Sequence, residues 1–184
     1  MRTFIAIDLE PGLKTALQEL IRKLKATGAD VRWTRGEGLH LTLKFLGDVD
    51  AEELDKVKRV MGHVAGRHRS FPLEFSGTGA FPNERSPRVL WVGFAAEPGL
   101  LELQKGLELG LETEGFARED RPFKPHLTLG RVKGPGRISD AVQALARETP
   151  ERWGGMTVRK ISLFESRLRP TGAEYLVVAE AELP

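Results

Sequence analysis

One stretch of the chain, residues 39–45, alternates apolar and polar residues and reads Leu-His-Leu-Thr-Leu-Lys-Phe. Because successive side chains leave opposite faces of a strand, strict alternation predicts a half-buried strand. The pattern directs the leucines and Phe45 to the core. It directs His40, Thr42 and Lys44 to the other face.

The motif recurs at residues 126–129 as His-Leu-Thr-Leu. Here the alternation directs Leu127 and Leu129 inwards, and His126 and Thr128 outwards. In each strand the histidine and the threonine are two positions apart, which is about 6.6 Å along the backbone. One small anion could therefore contact both side chains.

The remaining pattern predicts helices and strands in a regular order around these two stretches. Apolar residues at helical spacing predict four helices, over residues 11–24, 51–64, 100–114 and 138–147. Alternating or β-rich segments predict further strands over residues 3–9, 31–34, 71–81, 89–94, 156–168 and 174–183.

The order of elements occurs twice. A Glu-Pro-Gly-Leu tetrapeptide recurs at an offset of 87 residues, and the histidine motif recurs at an offset of 86. Phe164 echoes Phe81, and Tyr175 echoes Trp91, at offsets of 83 and 84. Repeats at nearly one spacing, within a matching order of elements, indicate an internal duplication.

This duplication predicts one domain, residues 1–184, made of two pseudo-symmetric lobes that correspond approximately to residues 1–90 and 91–184. Duplicated units usually pack about a pseudo-two-fold axis, which would bring the two histidine strands together. We therefore expect a single cleft that contains both histidines and both threonines. A monomer would suffice to build it.

Composition excludes several classes of protein. Hydrophobic residues at 40% and charged residues at 29% are ordinary for a globular chain with a real core. Cysteine is absent, which excludes disulfides, a thiolate nucleophile and thiolate metal ligands. Asp8 and Glu10 interrupt the first apolar run, so we expect no signal peptide and a cytoplasmic location.

The paired motifs favour acid–base chemistry on a phosphate. Histidine has an ordinary pKa near neutrality, so one imidazole can take a proton from water while the other protonates a leaving group. Threonine hydroxyls can donate to the phosphate oxygens. No carboxylate accompanies either motif, which favours direct attack by water. A zinc site needs three or four donors, and the sequence offers none at suitable spacing.

The doubled His-Leu-Thr-Leu motif resembles that of the two-histidine (2H) phosphoesterases, and in particular the bacterial and archaeal RNA 2′,3′-cyclic phosphodiesterases, first described as 2′-5′ RNA ligases. The resemblance covers nearly the whole chain. It extends to the start at residues 4–8, to residues 31–33, 39–47, 81–82 and 124–131, and to the closing strands.

That resemblance implies a bilobal α+β fold with two antiparallel sheets around a central cleft and helices on the outside. It implies that water opens a terminal 2′,3′-cyclic phosphate to leave a 2′-phosphate, with no metal or other cofactor. His40 would be the general acid for O3′, and His126 the general base. Thr42 and Thr128 would donate hydrogen bonds to the phosphate.

Five further residues are candidates for substrate binding. The resemblance implies that Arg131 holds the phosphate, although alternation places it on the face of the inward leucines unless Gly130 bulges the strand. Lys44 is a candidate phosphate contact. Phe45, Trp33 and Phe123 are candidates for stacking on a base, although core packing is the better interpretation of Phe45 and an equal one for Trp33.

Two basic clusters flank the motifs and would bind RNA phosphates without reading sequence. One contains Arg32, Arg35 and Lys44, and the other lies within residues 118–137. Two alternative functions remain open: RNA end-joining through a 2′-5′ bond at the same site, and a non-catalytic module that binds RNA or nucleotides.

Overall fold

The computed structural model describes residues 1–184 and has an α+β fold with four α-helices and nine β-strands. The helices are α1 (Pro11–Lys25), α2 (Ala51–Ala65), α3 (Pro98–Thr113) and α4 (Ile138–Ala146). The strands are β1 (Arg2–Asp8), β2 (Val31–Trp33), β3 (His40–Asp48), β4 (Phe71–Phe81), β5 (Val89–Phe94), β6 (His126–Val132), β7 (Gly155–Val158), β8 (Lys160–Arg169) and β9 (Gly172–Glu182). Every predicted helix is present within a few residues, and so is every predicted strand except the one over residues 156–168.

The strands form two antiparallel sheets, in the orders β3-β1-β8-β9 and β2-β6-β5-β4-β7. The predicted strand over residues 156–168 is in fact two strands: β7 pairs with β4 in the second sheet, and β8 pairs with β1 in the first. Each sheet contains strands from both sequence repeats. The repeat boundary near residue 90 therefore does not separate the two sheets.

The helices bury one apolar face each. In α1, Leu13, Leu17, Leu20, Ile21 and Leu24 recur at helical spacing and are buried. These side chains belong to one continuous core of 36 buried residues, which includes residues of all four helices and both sheets. One core therefore joins the two lobes. No helix is long and apolar enough to cross a membrane.

The two histidine strands carry the same irregularity. In β3, Thr42 pairs with Ala6 and Lys44 pairs with Ile5, so that Leu43 is an extra residue with no partner of its own. In β6, Thr128 pairs with Trp91 and Gly130 pairs with Leu90, so that Leu129 is the extra residue. A bulge of this kind shifts the side chains that follow it to the opposite face, until the next irregularity, which in β3 is a second register shift at Leu46. The two bulges are 86 residues apart, the spacing of the repeat.

Candidate active site

His40 and Thr42 lie on β3, His126 and Thr128 lie on β6, and these two strands contact each other across the boundary between the sheets. The segment before β3 stabilises the contact between β3 and β6 through two hydrogen bonds. The Thr34 hydroxyl donates to the Thr128 carbonyl at 2.8 Å, and the Thr34 amide donates to the Leu129 carbonyl at 2.8 Å. The chain before the first motif is thus hydrogen-bonded to the backbone of the second.

An aromatic cage surrounds the His40 imidazole. Phe4 stacks on it with ring centroids 4.7 Å apart, Phe164 stacks at 5.5 Å, and the Tyr175 ring approaches edge-on at 5.3 Å. Phe4 and Phe164 belong to a small apolar cluster on this face, separate from the main core. The cage fixes the ring and shields most of it from water.

This burial lowers the pKa of His40 to about 4, because an imidazolium is poorly solvated there. The Asp8 carboxylate, which lies opposite His40 in the sheet, acts in the other direction and raises the pKa. Lys14 pairs with Asp8 at 2.7 Å, and its positive charge lowers the pKa again. In the free protein His40 is therefore neutral at pH 7.

His126 has a more polar setting. Its Nδ1 donates to the Lys124 carbonyl at 2.6 Å. Since a carbonyl oxygen can only accept, the proton of the neutral ring is on Nδ1, and Nε2 carries the free lone pair. The rings of Phe81 and Trp91 approach edge-on, with centroids 5.0 and 6.4 Å from that of His126. The backbone thus orients this ring, and its tautomer suits a proton acceptor.

The aromatic residues around both histidines are site residues that the sequence-based prediction missed. Phe81 and Trp91 beside His126, and Phe164 and Tyr175 beside His40, are the two pairs that recur at the repeat spacing in the sequence. On its own that spacing indicates only a duplication. Because each pair contacts the histidine of its own sheet, the echo also marks the surroundings of the site.

The predicted orientation of Lys44 is wrong. The bulge at Leu43 turns its side chain away from the face of His40 and Thr42, and the residue is only 7% exposed. Lys44 Nζ lies 3.0 Å from the Glu108 carboxylate of α3 and donates to the Ala117 carbonyl at 2.7 Å. Its charge is engaged within the protein, so a direct phosphate contact by Lys44 is not supported.

The buried Lys44–Glu108 pair also fixes the segment that precedes the second motif. The Glu108 carboxylate also accepts a hydrogen bond from the Glu119 amide at 3.2 Å. Gln104 Nε2 donates to the Leu43 carbonyl at 3.4 Å, which is the carbonyl of the bulged residue. The network therefore connects the bulge beside Thr42 to the loop that leads into His126.

The bulges also change the faces of Phe45 and Arg131. Alternation predicts Phe45 in the core, but it is 69% exposed and lies beside Phe4, with ring centroids 5.9 Å apart, on the face of His40. Arg131 is exposed on the face of His126 and Thr128, because the extra residue in β6 reverses the alternation after Thr128. Phe45 and Arg131 are thus equivalent positions in the two repeats.

The other two stacking candidates have packing roles. Trp33 packs against the main core on the face of Gly130, where a Cβ at Gly130 would come within 2.9 Å of the indole. Phe123 packs against the same core and lines a surface depression with Gln104 and Glu108. The structure brings neither ring together with the histidines. It also contains no cluster of three His, Cys, Asp or Glu side chains that could hold a metal ion.

Comparison with known proteins identifies the family. A model described as LigT-like phosphoesterase matches twice, over residues 7–91 and 92–175. The chain belongs to the LigT-like phosphoesterase family. The two consecutive matches divide this phosphoesterase as the internal repeat does.

Curated relatives match the chain over nearly its whole length. The RNA 2′,3′-cyclic phosphodiesterase of Methanothermobacter thermautotrophicus is 35% identical over 175 residues, which are 95% of both chains. The Thermotoga maritima protein of the same name is 36% identical over 99% of this chain and 95% of its own. These relatives agree with the resemblance that the doubled motif carried.

Solved structures of the family share the fold. The crystal structure of the Thermus thermophilus protein TT0787 has a TM-score of 0.84 at 33% identity and covers 100% of this LigT-like chain and 98% of its own. That of Escherichia coli LigT complexed with 3′-AMP has a TM-score of 0.77 at 28% identity, covering 99% and 97%. The bilobal α+β architecture predicted from the resemblance is confirmed.

Proposed function

We propose that this phosphoesterase hydrolyses 2′,3′-cyclic phosphates at RNA ends and leaves a 2′-phosphate. The observation that carries the proposal is the pair of His-x-Thr strands, β3 and β6, which contact each other and bear the same bulge. The names of the curated relatives supply the substrate class. In this proposal both imidazoles address one phosphorus atom.

His126 acts as the general base. Its Nδ1 donates to the Lys124 carbonyl, so Nε2 is free to take a proton from the attacking water. When the imidazolium forms, the same carbonyl continues to accept from Nδ1 and stabilises the charge. Thr128 and Arg131, which share this face, donate to the phosphate oxygens, where a guanidinium suits the geometry.

His40 acts as the general acid that protonates O3′ as it leaves, while Thr42 donates to the phosphate. Because burial lowers the pKa of His40 to about 4 in the free protein, the acid must gain its proton as substrate binds. The phosphodiester anion supplies the cause, since a negative charge beside an imidazole favours the charged form. Two motifs with identical residues thus differ in role because their surroundings differ.

The reaction is tested by incubating the protein with a nucleoside 2′,3′-cyclic phosphate in excess EDTA. We expect the 2′-phosphate as the sole product, identified by phosphorus NMR or by chromatography against both isomers. Formation of the 3′-phosphate would show that O2′ leaves instead. Loss of activity in EDTA would contradict catalysis without a metal.

The two histidine roles are tested with a substrate in which sulfur replaces O3′, because a thiolate leaves without protonation. His40→Ala should lose about 10²- to 10⁴-fold on the oxygen substrate and much less on the sulfur substrate. His126→Ala should lose similar factors on both. The opposite pattern would exchange the two roles.

The monomeric state and the cytoplasmic location stay predictions. Analytical sedimentation would check the monomeric state.

A further inference from the structure

Two arginines lie directly opposite each other on neighbouring strands of the second sheet. Arg32 of β2 is the register partner of Arg131 of β6. Register partners project from the same face, so Arg32 shares the face of His126 and Thr128. Like charges at directly opposite positions repel each other and destabilise a sheet.

Neither guanidinium is neutralised within the protein. Both residues are exposed, and neither forms an ion pair or a side-chain hydrogen bond, whereas three other basic residues near the motifs are engaged. Lys44 pairs with Glu108, Lys133 lies 3.8 Å from Asp30, and Arg35 donates to the Thr171 carbonyl. An uncompensated pair of this kind indicates that the missing counter-charge comes from a ligand.

The position of the two arginines indicates which anion of the ligand supplies this counter-charge. With Leu129 bulged out, Arg131 lies about 6.6 Å along β6 from Thr128, and Arg32 lies about 4.8 Å further out on the next strand. That strand, β2, is the edge of the sheet. In the proposed reaction Arg131 is next to the reacting phosphate, whereas Arg32 is one strand further out at the edge of the sheet, within reach of the next phosphate of a polynucleotide.

We propose that Arg32, with Arg131 beside it, binds the internucleotide phosphate on the 5′ side of the terminal nucleotide. The site would then be built for RNA of two or more nucleotides and would use Arg32 only for such substrates. This inference rests on the proposed function and refines its substrate class. Arg32 is a binding residue here and takes no part in the chemical step.

The test compares two substrates that differ in one phosphate. One is a nucleoside 2′,3′-cyclic phosphate, and the other is a dinucleotide that ends in the same cyclic phosphate. We expect Arg32→Gln to lower kcat/KM about 10-fold on the dinucleotide, the effect of one charge-assisted hydrogen bond. On the mononucleotide we expect no change. The slope of log kcat/KM against log salt for the dinucleotide should fall by about 0.7.

Arg59→Gln is the matched control, because Arg59 is also exposed but lies on α2, outside the sheet face. Arg59→Gln should leave kcat/KM unchanged on both substrates. Equal losses on both substrates in Arg32→Gln, or an equal loss in Arg59→Gln, would overturn the subsite. Thermal unfolding should show Arg32→Gln at least as stable as the wild type, since a repulsion has been removed. A clearly lower Tm would contradict the uncompensated pair.

Binding of the reaction product separates this proposal from the proposed function. A dinucleotide that ends in a 2′-phosphate needs no chemistry, so its Kd can be measured by calorimetry even if no turnover occurs. A 10-fold weaker Kd in Arg32→Gln, with no activity on cyclic phosphates, would sustain the subsite and refute the enzyme. An unchanged Kd in Arg32→Gln, with normal turnover of cyclic mononucleotides, would refute the subsite and sustain the enzyme.

Discussion

Replacing Lys44 by methionine should destabilise the protein far more than the loss of an ordinary surface lysine. The Lys44 and Glu108 side chains are only 6% and 9% exposed, and their charged groups lie 3.0 Å apart. Lys44→Met leaves the Glu108 carboxylate buried with only amide donors, Gln104 Nε2 and the Glu119 amide. Breaking a buried pair in this way costs about 3–5 kcal/mol. For a chain of this size the Tm should fall by roughly 10 °C.

The double variant Lys44→Met/Glu108→Gln isolates the pair. Removing both charges avoids the buried uncompensated carboxylate, so its stability should return to within about 1 kcal/mol of the wild type. The coupling between the two sites should then be about 2 kcal/mol or more. Urea unfolding followed by fluorescence of the three tryptophans measures all four corners of the cycle.

Lys56→Met is the control for charge alone. Lys56 forms an exposed ion pair with Glu52 at 2.8 Å, and we expect little change in stability when it is lost. A small effect of Lys44→Met, or additive effects of the two single substitutions, would show that the pair is screened by water and would refute the reasoning. Because Lys44 also holds the Ala117 carbonyl, Lys44→Met should lower kcat at temperatures where the variant remains folded.

Three further predictions concern the site itself. His40 has a pKa of about 4 when folded and 6.5 when unfolded, so the unfolded chain binds more protons between these pH values. The free energy of unfolding should therefore fall by up to about 3 kcal/mol from pH 6.5 to pH 4. Urea unfolding of His40→Gln should lack this dependence on pH. Arg131→Gln should lower kcat/KM about 10- to 100-fold and Phe45→Ala should raise KM by a similar factor; an unchanged Tm would show that neither acts through folding. Gly79→Ala should cost about 1–3 kcal/mol by calorimetry, because its Cβ would overlap the Trp91 ring; an unaffected variant would mean that the ring is free to move.

Local pattern was sufficient to predict the elements and the motif residues. Alternation and helical spacing act within a few residues of chain, and the repeat of about 86 residues required only the sequence compared with itself. The pairing of strands is a different matter, since it depends on contacts between distant segments. The chain passes from the second sheet to the first at Arg159, between β7 and β8, and no local signal marks that step.

The errors at Lys44 and Phe45 have one physical cause. Alternation predicts faces only while the register is unbroken, and an extra residue in one strand is visible only from its partner strand. A bulge in β6 likewise explains why Arg131 lies on the face of His126, although alternation predicts the inward face. The extra residue is Leu129 and not the neighbouring Gly130. The aromatic cage escaped prediction because its rings come from β1, β8 and β9, far from His40 in sequence.

The twin irregularities also carry information about descent. A bulge found at the same point of both halves indicates that the repeated unit already had it before the duplication. Such a unit alone would carry one His-x-Thr strand, so two copies would have to associate to place two of these imidazoles beside one phosphate. Two units within one chain need no such association, and their surroundings are free to differ: aromatic rings pack around His40, whereas a backbone carbonyl accepts from the Nδ1 of His126.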